Sequence, residues 1–115
     1  MEELKVIVKV IDEKKGENIN IIDVSSVNPL TVYYVIATVF STVQAQAISK
    51  EISQKLIENK LAFNHIEGKA GISRWILVDA QDIIVHLFVN EEREIFKLDE
   101  LYQKLPHIAV SDILN

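Results

Sequence analysis

The chain has 115 residues, 49% hydrophobic and 25% charged, with no cysteine and a formal net charge of -5. That is enough for one domain over 1–115 with a real core, and the composition excludes intrinsic disorder. It also excludes a disulfide scaffold and a thiolate metal site, and the acidic mean field argues against direct binding to a nucleic-acid backbone.

No apolar run reaches the roughly 18 residues that a membrane span needs. The opening "MEELKVIVKVIDEKK" starts acidic and alternates charged with apolar residues, unlike a secretory signal. Together with the missing cysteines, this points to a reducing, cytoplasmic setting. An acidic surface favours a basic partner, because opposite potentials speed encounter and fix orientation.

Taken in chain order, the first segment supports two readings. Leu4, Ile7, Val8 and Ile11 fall at helical spacing, while the β-branched Val6, Val8 and Val10 suit a strand. "KKGEN" punctuates the chain, and Ile19 to Val24 reads as a short buried strand. Asn28-Pro29 marks a turn. Thr31 to Phe40, β-branched and aromatic throughout, predicts a central strand buried on both faces. Ser41-Thr42-Val43-Gln44 matches a capping box, in which Ser41 bonds the Gln44 N–H and Gln44 reaches back. Ala45, Ile48, Ile52 and Leu56 then form one apolar stripe of a helix. Leu61 to Ile66 predicts a strand and "EGKAGIS" a loop. Asn90 is placed to cap a helix over "EEREIFKLDELYQKL", whose acidic first turn suits the helix dipole. The last nine residues carry little signal. The economical architecture is an α/β (α+β) domain, a mixed sheet with helices packed mainly on one face.

The stretch "SRWILVDAQDIIVHLF" predicts two strands around a turn. With Ala80-Gln81 as the turn, Val78 lies opposite Ile83 and Trp75 opposite His86. Alternation then puts Ile76, Val78, Ile83, Val85 and Leu87 on a core face. The other face holds Trp75, Leu77, Ile84, His86 and Phe88, with Asp79 and Asp82 at the turn end. Such a face either lies under the chain's own C-terminal helix or is left open for docking, since aromatic anchors with charged rims are the anatomy of an interaction hot spot.

"SRWILVDAQDIIVHLFVNEEREIFKLDELY" resembles the signature of the ribosomal silencing factors, the Iojap-like proteins. Trp75, Asp79, Asp82, Val85-His86, Arg93, Phe96 and Leu98 stand at the matching places, and upstream "KKGENINIIDVSSVNPLTVYYVIATVFST" is similar to further family blocks. The resemblance implies a mixed sheet related to the nucleotidyltransferase fold, with the first segment helical. It implies binding to large-subunit ribosomal protein fourteen, a basic protein on the subunit-joining face, and repression of translation by blocking subunit association. Homodimers are also implied. Set against these blocks, Trp75, Leu77, Asp79, Asp82, Ile84, His86, Phe88, Glu92 and Arg93 are the candidate partner contacts, with the acidic members meeting basic side chains. The chain departs from the family at Val39-Phe40, where a glycine is usual, at Val43, Arg74 and Tyr102, and at Gln81 in place of a turn glycine.

Rival chemistry finds little support. Nucleotidyl transfer needs a glycine-bearing turn for phosphates and carboxylates converging on magnesium. Here the turn is Val39-Phe40-Ser41, and Asp79 and Asp82 read as solvated turn acids. His65, His86 and His107 show no metal-ligand spacing. The expectation is a protein with no catalytic residues, metal or cofactor; a self-pairing interaction module is the alternative.

Overall fold

A computed structural model describes residues 1–114. The ambiguous first segment is a helix, α1 (Glu2–Glu13), and Leu4, Ile7, Val8, Val10 and Ile11 are its buried residues. The helical spacing wins because it aligns these side chains on one stripe that the sheet can cover. Gly16 follows at a place where an added Cβ would sit 2.5 Å from the Ile11 side chain, so only glycine lets the chain turn so tightly. β1 (Glu17–Asp23) and β2 (Tyr33–Val39) form an antiparallel pair. Then come α2 (Thr42–Glu58), β3 (His65–Glu67), β4 (Trp75–Asp79) and β5 (Ile83–Val89). The C-terminal part comprises α3 (Asn90–Phe96), α4 (Leu98–Leu101), β6 (His107–Ile108) and α5 (Val110–Leu114).

The six strands form one mixed sheet in the order β3-β4-β5-β2-β1-β6. β2 and β5 run parallel side by side at its centre, joined by the crossover that contains α2. α1, α2 and α5 lie on one face, and the main core forms there from Ile7, Ile11, Ile48, Ile52 and Leu56 against Val35, Val78, Val85 and Leu87. This is the α+β mixed sheet expected.

α2 begins as read, with the Gln44 N–H donating to Ser41 Oγ at 3.0 Å. The return bond goes elsewhere: Gln44 Oε1 accepts from the Phe40 N–H at 2.7 Å, and Gln44 Nε2 donates to the Lys14 carbonyl. Gln44 thus ties the start of α2 to the end of β2 and to the end of α1.

Three local expectations need correction. Of the predicted 61–66 strand only His65 and Ile66 pair, in a strand that runs on to Glu67, since Leu61 is drawn back to close α2 through its N–H to the Leu56 carbonyl. The hairpin loop is Gln81-Asp82, one residue later than expected: the Ala80 N–H donates to the Ile83 carbonyl, and Asp79 Oδ1 accepts from the Gln81 N–H at 2.9 Å. Gln81 itself takes φ 70°, which is why glycine suits the place. Trp75 therefore lies opposite Phe88 and Leu77 opposite His86. The slip is an even number of residues, so every side chain keeps its predicted face. Finally, 91–105 is not one helix: Lys97, left-handed at φ 49° and ψ 41°, breaks it, and Val89 rather than Asn90 precedes the first turn.

Candidate functional site

Alternation along the strands puts Asn20 and Ile22, Tyr34, Ile36 and Thr38, Trp75 and Leu77, and Ile84, His86 and Phe88 on the face opposite the main core. Half of this face is covered by the chain itself, which corrects the expectation that it stands open. The break at Lys97 turns Leu98, Tyr102 and Leu105 back onto the sheet, where they pack against Ile22, Val24, Ile36 and Phe88. Phe88 is fully buried and His86 is 5% exposed. The physical reason is that a row of large apolar side chains on β1, β2 and β5 is unfavourable in water, and an apolar stripe lies within reach in the same chain. We call residues 90–106 the strap.

A polar clasp fastens the strap. The Arg93 guanidinium donates to both carboxylate oxygens of Asp99, at 3.1 and 2.8 Å, and to Thr38 Oγ1 and the Asn18 carbonyl on the sheet. Asn20 Nδ2 donates to the same carboxylate at 2.8 Å. These bonds from Arg93 and Asn20 hold the Asp99 carboxyl below the ordinary carboxylate range, against the opposing effect of its partial burial. Arg93, expected as a partner contact, is thus turned inward in the free chain.

Beneath the strap runs an aromatic chain. Trp75 tilts over Phe88 at 4.6 Å between centroids and meets Phe96 at 5.0 Å, while Tyr34 stands edge-on to His86 and Tyr102. Trp75 Nε1 donates to His86 Nδ1 at 3.2 Å, which puts the neutral imidazole's proton on Nε2. That Nε2 is buried without a partner. Burial pushes the His86 pKa down to about 4, with the Asp99 charge opposing.

What remains open is a strip over β4 and β3. Trp75, Leu77 and Ile84 are half-buried there, and a shallow groove of about 280 Å³ is lined by Glu67, Gly68, Trp75 and Leu77. Asp82 is exposed at the turn, whereas Asp79 is half-buried and also accepts from Asn64 Nδ2. His65 and Glu67 bond to each other at the sheet edge. At the Trp75 end, Arg74 spans Glu91 and Glu92 at 2.9 and 3.2 Å. Of the predicted set, then, Trp75, Leu77, Asp79, Asp82 and Ile84 reach one surface. His86 and Phe88 lie under the strap, Glu92 is paired with Arg74, and Arg93 belongs to the clasp.

The chain's sequence matches the profile of the family described as "Ribosomal silencing factor during starvation" over residues 1–115. The chain belongs to the ribosomal silencing factor family. Within the family it is similar to "Ribosomal silencing factor RsfS" of Bacillus subtilis, 33% identical over 103 residues, covering 90% of this chain and 86% of that protein. It is also similar to "Protein Iojap, chloroplastic" of Zea mays, 30% identical over 94 residues, which are 82% of this chain and 40% of the maize protein. The fold matches the crystal structure of protein CV0518 from Chromobacterium violaceum at a TM-score of 0.82 and 28% identity, over 89% of this chain and 84% of that one. A structure from Bacillus halodurans matches at 0.80 and 28%, over 94% and 97%. Membership makes this a regulatory domain of translation.

Sequence reasoning missed the structural importance of Tyr34, Phe96, Asp99 and Tyr102. Phe96, Leu98 and Tyr102 were visible in the family blocks, and the spacing of Leu98, Tyr102 and Leu105 is a readable apolar stripe. The Arg93–Asp99 pair left no such signal, because residues six apart share no helix face.

Proposed function

We propose that the open strip docks on a basic protein surface of the large ribosomal subunit, that of ribosomal protein fourteen, and that the bound domain bars the small subunit by occupying its joining surface. The observation that carries this reading is a half-exposed tryptophan, Trp75, flanked by Leu77 and Ile84 and edged by the carboxylates of Glu67, Asp79 and Asp82. Large aromatic anchors with rim charges supply most of the energy of such interfaces. Nine of the 17 carboxylates but only five of the 12 lysines and arginines fall after residue 60, in the part of the chain that builds this strip. A basic partner is therefore attracted to this part of the molecule. In this reading His86 and Phe88 support Trp75 from below, and Arg93 and Glu92 keep the strap and the loop before β4 in place. A ribosome-bound role places the protein in the cytoplasm, with no catalysis required.

The test is co-sedimentation with isolated large subunits. Leu77→Ala and Asp82→Lys remove partner contacts without opening the core. Each is expected to weaken binding about tenfold, on the order of a hot-spot loss. Unchanged binding in both variants overturns the strip as the interface. Self-association is the second reading, and one observation favours it: Phe40, Val43 and Ile72 are large, exposed and apolar.

A further inference from the structure

β2 and β5 lie side by side and run parallel, but the chain leaves them towards opposite faces of the sheet. After Val39 it enters α2, which packs on the main core. After Val89 it enters α3, whose Arg93 and Phe96 reach Thr38 and Trp75 on the other face. Where two parallel neighbours send their connections to opposite faces, a crevice opens beyond their carboxyl ends, and open sheets take small ligands there. Such a crevice is present, a cleft of about 390 Å³ lined by Asn18, Thr38, Phe40, Asn90, Arg93 and Glu94. Its size suits a small ligand, and it shares no residue with the docking strip.

The lining has a defined chemistry. Phe40 is 54% exposed, and its N–H donates to Gln44 Oε1, which holds it at the start of α2. Asn90 and Glu94 are four residues apart on α3 and so share a face of that helix. β1 changes register between Glu17 and Asn20, and Asn18 there takes φ 51° while its carbonyl accepts from Arg93 at 2.7 Å. Irregularities of this kind gather at ligand sites. The Arg93 guanidinium is engaged by Asp99, Thr38 and the Asn18 carbonyl, so it has little to offer a phosphate. Glu94 forms no ion pair among the described residues.

An exposed aromatic ring takes a planar heterocycle by stacking, whatever its sequence context. A carboxylate beside it accepts two parallel N–H bonds. Among the common bases only guanine carries two adjacent donors on one edge, its ring N–H and its exocyclic amino group. The amides of Asn18 and Asn90 are then left for the guanine carbonyl and the ribose hydroxyls. We propose that this crevice binds a guanine nucleoside, with the base stacked on Phe40 and its two-donor edge on Glu94.

Isothermal titration calorimetry of the full chain with guanosine tests this, with inosine, which lacks only the exocyclic amino group, and guanosine monophosphate as further arms. Guanosine should bind with a dissociation constant on the order of 0.1 mM, in keeping with its size. Inosine should bind about tenfold more weakly, for one lost hydrogen bond to a charged group. The monophosphate should match guanosine. Phe40→Ala and Glu94→Ala should each weaken guanosine about tenfold, and Glu94→Ala should also erase the preference over inosine. Both variants replace exposed side chains, so the parent's circular dichroism should be kept. Leu77→Ala, on the strip, should bind guanosine as the parent does. No binding of guanosine at its solubility limit overturns the proposal, as does binding that survives both cleft variants. Inosine held as tightly as guanosine overturns the guanine assignment, and a monophosphate held far more tightly than the nucleoside overturns recognition through the base.

Discussion

On the face under α1 and α2, twenty hydrophobic residues are buried in one cluster; on the opposite face only four are, and no residue of α3 or α4 is fully buried. The strands contribute to this difference, since the first face is aliphatic while the second carries Asn20, Thr38 and His86 among its apolar residues, and the covers differ as well. α1 and α2 are long enough to present an unbroken apolar stripe, and burial of that stripe supplies most of the fold's stability. The strap is two short turns and a loop. It is held by Leu98, Tyr102 and Leu105 and by the Arg93–Asp99 clasp, and it leaves the Trp75 edge uncovered. A surface can serve docking when a different face carries the fold.

The largest effect should come from the first face. Ile52→Ala removes a fully buried side chain in the middle of α2 and is expected to cost about 4 kcal/mol in denaturant unfolding, from lost transfer energy and a cavity. A loss under about 1 kcal/mol would mean that the helix layer is looser than its burial suggests.

Next is acid. The His86 pKa of about 4 in the fold lies below the ordinary value of 6.5. Between these two values the unfolded chain binds more protons, so stability is complete above pH 6.5 and falls as the pH drops towards 4. The loss amounts to about 3 kcal/mol and then levels off for this group. Asp99 and Asp23 have lowered pKa values, so their losses come below the ordinary carboxylate range, outside this window. Replacing His86 with leucine should flatten the melting temperature between pH 4 and 6.5; an unchanged slope would assign it to another group.

Third, Arg93→Ala strands the half-buried Asp99 carboxylate and releases Thr38 and the Asn18 carbonyl. We expect about 2 kcal/mol, less than for a fully buried pair because Asp99 is partly exposed. Trp75 emission should shift to the red as Phe96 lifts away from it. If emission and stability both stay at the parent's values, apolar contacts alone hold the strap. The smallest effect is that of Ser41→Ala, about 1 kcal/mol from the lost cap of α2, with the Trp75 signal unmoved.

Much of this contrast was legible in the sequence. Ile48, Ile52 and Leu56 announce the buried side of α2, and Ser41 its start. The alternation in β4 and β5 survived a two-residue slip in register, because a face depends only on odd or even position. α1 stayed ambiguous because β-branched residues at helical spacing satisfy both patterns. The candidate site was legible as a set of positions on one face but not as a surface. Nothing in "WILVDAQDIIVHLF" distinguishes Phe88, fully buried beside Trp75 and Phe96, from Leu77, which stays half open.

Sequence alone determined α2 and its start, the strand type and side-chain faces of β2, β4 and β5, and the family, since these rest on periodicity, capping and local motifs within a few residues. Only the tertiary structure decided which part of the second face meets solvent. That outcome depends on Lys97 turning left-handed, on Arg93 reaching Asp99 and Thr38, and on Tyr102 finding Tyr34. The contacts to Thr38 and Tyr34 join residues remote in the chain, and their energy exists only once the sheet has brought the partners together.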